Sequence, residues 1–529
     1  MDDILIIGSG ISGVSAALRF ADKGIRIAML DVGLEPRREQ AVDQNFYDYC
    51  EKNDGFSLMI GLKFEGLRNL DPMRRAIPVK LAAPRMAFVL DRAQNLSPVR
   101  ERDYCLIQSF AQGGLANAWG AGLMRYTEKD LREFPIREED LAPYYERLSG
   151  EIGISGENDD LTCFFGKDKN LQKPLRLSNN ARFLYMRYLK KKKNLNRRGV
   201  FLGRPRLAVL SEEKEGRKPC DYSNLEFWQP HLPYIYYPSL TLQKLVRQGF
   251  VDYRKGYLAE SWSHSNGKIL VRAKSLEDHR TQEFPCRRLV LAAGAVGSAK
   301  LALASKRDFR SVLSLLDNTA LQFPFLIPRN IGRKLERNSF GLTQLSIVFD
   351  WESQEGQLQG SLLDLTSPAR AEFFSYFPFA ARDNVFFLKY ILPAMMVMQL
   401  YLPVSQETAA SLSLREDGSL EIIGKGKDVP ASLIRKVLKA FRKLGAYSAS
   451  SLVVRVENGL GIHYAGTLPM RESPEKPYES SRWGELFDEP HVYAVDGSVF
   501  PRLSAMNYAF AVMANAMRIA DHIVSTLKR

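Results

Sequence analysis

Three glycines and one aspartate near the amino terminus have the spacing of a dinucleotide-binding site. Gly8, Gly10 and Gly13 form the pattern G-x-G-x-x-G, and Asp31 follows Gly13 by eighteen residues. In this pattern the first glycine allows a tight turn, the second lets a pyrophosphate approach bare backbone, and the third allows close helix packing. The carboxylate of Asp31 can accept hydrogen bonds from an adenosine ribose. The pattern predicts dinucleotide binding without choosing between FAD and NAD; an ordinary turn with fortuitous glycines is the alternative.

The segments around these residues predict the elements that position them. The run from Ile4 to Ile7 is short and apolar, as is typical of a buried strand, and small apolar residues then recur at helical spacing. Gly24 would end that helix, and the run from Ile25 to Leu30 would form a second strand. The predicted cofactor contacts at this turn also include Ile11 and Ser12.

Bulk composition limits the class of protein. The chain of 529 residues is long enough for two or three domains, and its 45% hydrophobic and 25% charged residues are ordinary for a globular protein. The five cysteines are scattered and lack C-x-x-C spacing, so we expect reduced thiols and no zinc, iron–sulfur or other metal site. A strand that begins at residue 4 leaves no room for a leader, and we expect a cytoplasmic location.

The chain carries a formal net charge of +14. Such a surplus can serve nucleic acid, an anionic membrane or an anionic substrate, or can simply be solvated. No nucleic-acid module accompanies the charge, so we expect no nucleic-acid partner.

A glycine-rich segment in the middle of the chain suits a loop that runs against a flat ligand. Residues 108–126 contain Gly113, Gly114, Asn117, Trp119 and Gly120 among the predicted cofactor contacts, with a structural turn as the alternative.

Two further stretches add predicted cofactor contacts. Asn266-Gly267 predicts a hairpin within the strand-rich stretch 249–275, which includes the predicted contacts Tyr257 and Leu258. A strand that runs from Arg288 then ends in small residues, where the contacts Ala293 and Gly294 are expected, and a helix is predicted from Ser298 to Ala304.

Two other stretches give structural predictions. Asp140 is predicted to be a helix N-cap. Residues 373–403 are the most apolar part of the chain, but Lys389 and two prolines argue against a transmembrane helix. They could form buried elements of a second domain, or an apolar face toward a lipid-linked substrate or a membrane.

Five motifs in order resemble the glucose-methanol-choline (GMC) family of flavin-dependent alcohol oxidoreductases. They are the opening glycine pattern, the middle glycine-rich loop, a strand ending A-x-G-A-x-x-S at Ser298, a histidine followed by Gly466-Thr467, and V-D-x-S-x-x-P followed by an asparagine. The resemblance implies an α/β FAD-binding domain of Rossmann-like GMC type, interleaved with an α+β substrate domain on an antiparallel sheet. We assign residues 1–155, 200–310 and 455–529 to the first, and residues 156–199 and 311–454 to the second.

The resemblance also implies the site residues. His463 would be the general base for the substrate hydroxyl, and Asn507 would hydrogen-bond the same oxygen. A neutral imidazole has a suitable pKa for that step near pH 7. Asp496, Gly497 and Tyr508 would lie near the flavin. No histidine adjoins the middle loop, so non-covalent FAD is expected.

The sequence departs from many family members in two places. Tyr508 stands where a proline often follows the catalytic asparagine, and the middle loop is not serine-rich. The loop variant resembles a bacterial branch that modifies sugars, polysaccharides and aminoglycosides.

We therefore expect oxidation of an alcohol to a carbonyl on a sugar or glycoside, which could be anionic or lipid-linked. A sterol or lipid alcohol, and a non-catalytic flavin-binding protein, are the alternatives. The electron acceptor stays open between oxygen, quinone and others, and peripheral contact with the inner membrane surface is a further expectation.

Overall fold

The computed structural model describes residues 1–36, 40–70, 76–351, 356–365, 380–426 and 428–527. Its helices are α1 Ile11–Asp22, α2 Phe46–Lys52, α3 Gly55–Met59, α4 Ala93–Leu96, α5 Glu138–Ile152, α6 Thr162–Phe165, α7 Asn179–Asn196, α8 Pro238–Arg247, α9 Gly294–Ser305, α10 Ala381–Ile391, α11 Ala431–Leu444 and α12 Ala509–Leu527. Its strands are β1 Asp2–Ile7, β2 Ile27–Asp31, β3 Val99–Arg102, β4 Ile154–Ser155, β5 Leu171–Gln172, β6 Val200–Gly203, β7 Val251–Lys255, β8 Tyr257–Ser265, β9 Lys268–Ser275, β10 Thr281–Leu291, β11 Leu313–Leu315, β12 Ala320–Leu326, β13 Leu345–Phe349, β14 Leu358–Asp364, β15 Met395–Tyr401, β16 Ala410–Leu414, β17 Leu420–Ile423, β18 Val454–Arg455, β19 Met470–Arg471, β20 Ser480–Ser481 and β21 Val492–Ala494.

The first sheet carries the predicted strand–helix–strand unit at its centre. Its order is β7-β2-β1-β10-β9-β8, with β21 also paired to β10. Strand β1 is parallel to both of its neighbours, and its apolar residues are buried because helices α1 and α12 pack together beside the sheet. The second strand begins at Ile27 rather than Ile25, because the Ile25 N–H is used to end α1 on the Phe20 carbonyl.

A second sheet has six strands, with one apolar face and one more polar face. Its order is β18-β12-β15-β14-β13-β6. One face buries the side chains of alternate apolar residues, such as Phe323, Met398 and Ile347, in a core that α7 and α11 cover. The opposite face presents the intervening residues to a large cavity. This alternation is the period-two pattern of a strand with two different environments.

A smaller sheet, ordered β11-β16-β17-β3, links the two predicted domains. Strand β17 pairs in parallel with β3, so residues 420–423 of one predicted domain hydrogen-bond residues 99–102 of the other. The predicted boundaries at residues 200 and 455 each fall at a strand of the six-stranded sheet.

Two local predictions need correction. The N-cap of α5 is Arg137 and not Asp140. Asp140 stands at the third helical position, and its carboxylate accepts the backbone N–H of Arg137, as the third residue of a capping box does. The helix predicted from Ser298 begins four residues earlier, at Gly294, directly after the strand turn. The hairpin at Asn266-Gly267 is confirmed, since both residues have the positive φ that a two-residue turn requires.

The apolar stretch 373–403 divides into parts with different environments. Residues 373–379 lie outside the described residues. Helix α10 exposes Val385 and Phe386, whereas β15 is an interior strand of the six-stranded sheet. No helix in the described part of the chain combines the length and apolarity needed to cross a bilayer.

Candidate active site

One cavity of about 1330 Å³ runs from the glycine turn after β1 to the polar face of the six-stranded sheet. Cavities for drug-sized ligands measure roughly 300–1,000 Å³. This cavity can therefore hold a large cofactor and a second small molecule together.

The glycine turn is closed on one side and open on the other. A Cβ on Gly8 would lie 2.5 Å from the Ala292 carbonyl oxygen, and a Cβ on Gly13 would lie 2.1 Å from the Gly8 carbonyl oxygen. A Cβ on Gly10 would meet no protein atom within 4 Å and would project into the cavity. Gly8 and Gly13 thus serve packing, and Gly10 leaves backbone bare at the N-terminus of α1, where phosphate groups bind well.

Asp31 closes this end of the cavity with a hydrogen-bonded network. Its Oδ2 accepts from the Ser9 hydroxyl and, at 3.0 Å, from the Tyr253 hydroxyl. Burial raises the pKa of Asp31 to about 6, although these hydrogen bonds partly oppose the rise. Ser9 also accepts from the Gly113 N–H at 3.0 Å, which ties the glycine turn to the middle loop. Sequence reasoning missed Ser9 and Tyr253.

The middle loop holds itself together with the side chain of Asn117. The Asn117 amide donates to the carbonyls of Gln112 at 2.9 Å and Gly114 at 2.8 Å, and its Oδ1 lies 3.0 Å from His231 Nε2. Asn117 is buried and does not line the cavity, because the loop itself uses its polar atoms. Gly113, Gly114, Trp119 and Gly120 do line it.

Lys80, which sequence reasoning also missed, stands behind this loop. Its ammonium donates to the Trp119 carbonyl at 3.0 Å and lines the cavity. Burial lowers the pKa of Lys80 to about 8, and the charge of Glu226 opposes that shift.

The strand end at β10 and the segment around Asp496 form a third wall. The Asp496 carboxylate accepts from the Ser298 hydroxyl at 2.6 Å and from the Ser498 N–H at 2.9 Å. Burial raises the pKa of Asp496 above its ordinary value. The other predicted contacts that line the cavity are Ile11, Ser12, Tyr257, Leu258, Ala293, Gly294, Gly497 and Tyr508.

His463 lies in the wall of the same cavity. Its side chain is nearly buried, its Nδ1 lies 3.0 Å from Asn318 Oδ1, and its ring stacks on Tyr401 with centroids 4.6 Å apart. Tyr508 meets the ring edge-on at 5.3 Å. Burial lowers the pKa of His463 to about 4, because an imidazolium would be poorly solvated there. The imidazole is therefore neutral at pH 7.

The backbone directly before His463 is strained. Ile462 has a φ of 58°, a left-handed conformation that is rare for a β-branched residue. The preceding turn is held by the Gly459 N–H, which donates to Asp317 Oδ2 at 2.6 Å, and by the Tyr464 hydroxyl, which donates to the Gly459 carbonyl at 2.5 Å. These contacts hold the strained residue in place.

Asn507 presents a hydrogen-bond donor to the same cavity. Its Oδ1 accepts the Ala509 N–H at 3.1 Å, at the start of α12. The Nδ2 end is turned toward Gly122, and a Cβ added to Gly122 would lie 3.5 Å from this nitrogen. Because the helix start uses the oxygen, the N–H₂ group is the end that can reach a ligand in the cavity.

The bare backbone positions match a dinucleotide. Gly10, Gly114 and Gly294 line the cavity, and a Cβ at each would find no protein atom closer than 3.9 Å. Together with Asp31, these residues fit a phosphate-bearing and ribose-bearing cofactor such as FAD.

The missed residues left little signal in the sequence. Asn318 and Tyr401 lie well over a hundred and about sixty residues from His463, and neither stands in a recognisable motif. Tyr253 lies within β7, which pairs in parallel with β2, the strand that ends at Asp31. Recognising β7 as the neighbour of β2 would have placed Tyr253 near Asp31.

Comparisons with known proteins give a structural match only. Neither a family model nor a curated protein matches the sequence. Among solved structures, pyridoxine 4-oxidase from Mesorbium loti is similar, with a TM-score of 0.56 and 14% identity over 99% of this chain and 99% of that one. The match confirms the predicted fold over 99% of the chain, an α/β domain with a Rossmann-like sheet interleaved with a domain on a largely antiparallel sheet.

Proposed function

We propose that this protein is an FAD-dependent oxidoreductase that converts an alcohol of a sugar or glycoside to a carbonyl. The supporting observation is that His463 and Asn507 line the same cavity as the bare glycine backbone. Sharing a fold with a pyridoxine 4-oxidase is consistent with this proposal but does not define the substrate.

The two side chains have complementary roles toward a hydroxyl group. The neutral imidazole of His463 accepts the hydroxyl proton, and the Asn507 N–H₂ group donates to the hydroxyl oxygen and orients it. FAD, when bound, supplies the acceptor for the hydride that leaves the carbinol carbon. The stacked Tyr401 ring excludes water from one face of the imidazole.

The sheet wall supports a substrate rich in hydroxyl groups. Gln322, Gln399, Ser361 and Ser346 occupy one register row across four adjacent strands, and all line the cavity. Three strand spacings make this row about 14 Å long. Uncharged amides and hydroxyls can donate to and accept from the many hydroxyls of a polyol, whereas a sterol offers the row a single hydroxyl.

A charged group on the substrate would find its partner at the rim of this wall. Arg455, on the edge strand β18, lines the cavity and is exposed. An anionic sugar would therefore bind with its charge outward and its hydroxyls along the row.

The test is anaerobic reduction of the bound flavin, which is monitored as the loss of the absorbance of oxidised flavin. The panel contains neutral glycosides, sugar phosphates, aminoglycosides, a sterol, a lipid-linked sugar and pyridoxine. We expect the glycosides to bleach the flavin and the sterol not to. A flavin that every alcohol leaves oxidised would contradict the proposal and favour a non-catalytic flavoprotein.

A matched pair of variants tests the base. His463→Asn should retain FAD and lose reduction by about 10²–10⁴-fold. His279→Asn, at an exposed position that does not line the cavity, should reduce at the wild-type rate. Fast reduction in His463→Asn would remove the assignment of the base.

A further inference from the structure

The hydrogen bonds of Asn318 fix the direction of its side-chain amide. Asn318 lies between β11 and β12 and is 2% exposed. Its Nδ2 donates to the Leu402 carbonyl at 2.7 Å and to the Ser504 carbonyl at 3.1 Å. A flipped amide would set its oxygen against these two carbonyl oxygens, so Oδ1 must point the other way, toward His463.

This orientation decides where His463 carries its proton. Asn318 Oδ1 can only accept, so the ring nitrogen 3.0 Å away, Nδ1, must be protonated to bond with it. The second nitrogen, Nε2, has no hydrogen-bond partner among the described residues, and the His463 side chain lines the cavity. A neutral ring with Nδ1–H has its lone pair on Nε2.

We propose that Asn318 is a positioning residue that holds His463 in the Nδ1–H tautomer, which makes Nε2 the atom that takes the substrate proton. This proposal rests on the proposed function for its catalytic meaning, but its structural content does not. In the proposed reaction the hydroxyl O–H bond breaks and its proton forms an Nε2–H bond, while the carbinol C–H bond breaks and the C–O bond becomes a carbonyl; FAD, when bound, would take up the hydride. Asn318 keeps its own hydrogen bond throughout and orients the imidazolium that results.

The other side chains that the structure describes around the His463 ring do not hydrogen-bond to its Nδ1. Burial raises the pKa of Tyr401 and of Tyr508, so both are neutral near pH 7. Both contact the imidazole through their rings. Asp317, the neighbour of Asn318, accepts from the Gly459 N–H. Among these side chains, Asn318 is the one within hydrogen-bond distance of Nδ1.

The direct test is ¹⁵N NMR of the FAD-loaded protein labelled at histidine. The chain has six histidines, and His463→Asn identifies the signal by its loss. We expect Nδ1 of His463 to be protonated and Nε2 to be bare at pH 7. An Nε2–H tautomer would overturn the proposal even if the flavin is reduced by an alcohol, whereas a protein with the expected tautomer and no alcohol activity would contradict only the proposed function.

Two variants test the consequence. Asn318→Ala removes the acceptor, and we expect the proton to shift toward Nε2 and flavin reduction to slow by about 10²-fold, with FAD still bound. Asn318→Asp keeps an acceptor for Nδ1–H but sets its second oxygen against the Leu402 and Ser504 carbonyls. Reduction should therefore recover only in part relative to Asn318→Ala, and its acid limb should move to higher pH, because a carboxylate favours the imidazolium. Equal losses in both variants, with the tautomer unchanged in each, would assign Asn318 a structural role and overturn the proposal.

Discussion

Two alanine substitutions at the glycine turn should separate cofactor binding from folding. At Gly10 the backbone has φ −67° and ψ −175°, which alanine adopts without strain, and the new Cβ would meet no protein atom. The folded protein should be unchanged or more stable by about 0.4–1 kcal/mol, through a less flexible unfolded chain. The methyl group would instead occupy the space through which a pyrophosphate approaches the backbone. We expect FAD affinity to fall ten- to a hundredfold, equivalent to about 1.4–2.8 kcal/mol.

At Gly13 the same methyl group should act on the fold. Its Cβ would lie 2.1 Å from the Gly8 carbonyl oxygen and 3.1 Å from the Ala292 Cβ, so strand and helix must move apart. Overpacking of this kind costs about 1–3 kcal/mol. Gly13→Ala should therefore lower the free energy of unfolding of the FAD-free protein, which Gly10→Ala should not.

The assays are urea unfolding of the FAD-free proteins and titration of FAD by the quenching of its fluorescence. Wild-type FAD affinity in Gly10→Ala would refute the assignment of Gly10 to the phosphate cradle. Wild-type stability in Gly13→Ala would refute the packing role of Gly13.

Three further outcomes are expected. Because burial lowers the pKa of His463 to about 4, the unfolded chain binds more protons than the native one between pH 6.5 and 4, so stability falls as pH falls. From pH 7 to 5 this amounts to about 2 kcal/mol, and that part of the loss should be missing in His463→Asn when both proteins are unfolded in urea. Asn507→Asp keeps the acceptor at the start of α12 but loses the donor, so the melting temperature should hold while flavin reduction slows by about 10²–10³-fold; an unchanged rate would contradict the role of the amide. Val385 and Phe386 are 60% and 63% exposed on α10, and their replacement by serine should lower the fraction of protein that sediments with anionic vesicles while the melting temperature stays unchanged. If the wild-type protein bound neutral vesicles equally well, a charge-assisted membrane contact would be contradicted.

Local patterns in the sequence predicted the parts of the site that depend on backbone shape. The glycine turn, the hairpin at Asn266-Gly267 and the small residues after β10 each follow from conformations that few residue types adopt. Asn117 shows the limit of such reasoning. An asparagine in a glycine-rich loop can face a ligand or hold the loop, and only the positions of Gln112, Gly114 and His231 decide between them.

Partners brought together by the fold could not be predicted in the same way. Asn318 bonds residues that lie 84, 145 and 186 positions away in the chain. Nothing around it in the sequence distinguishes it from other buried asparagines. The polar row of the six-stranded sheet has the same origin, because Gln322 and Gln399 become neighbours only through the register of β12 and β15.

The pairing of β21 with β10 determines when the first sheet can be completed during synthesis of the chain. The first thirty residues, which bear the phosphate-binding turn, emerge hundreds of residues before Val492–Ala494 can complete their sheet and before α12 can cover α1. Contacts so distant in sequence form slowly. We therefore expect the nascent polypeptide to acquire its cofactor only after synthesis is almost finished, and truncation within the last forty residues to leave a flavin-free product for the cell's proteases.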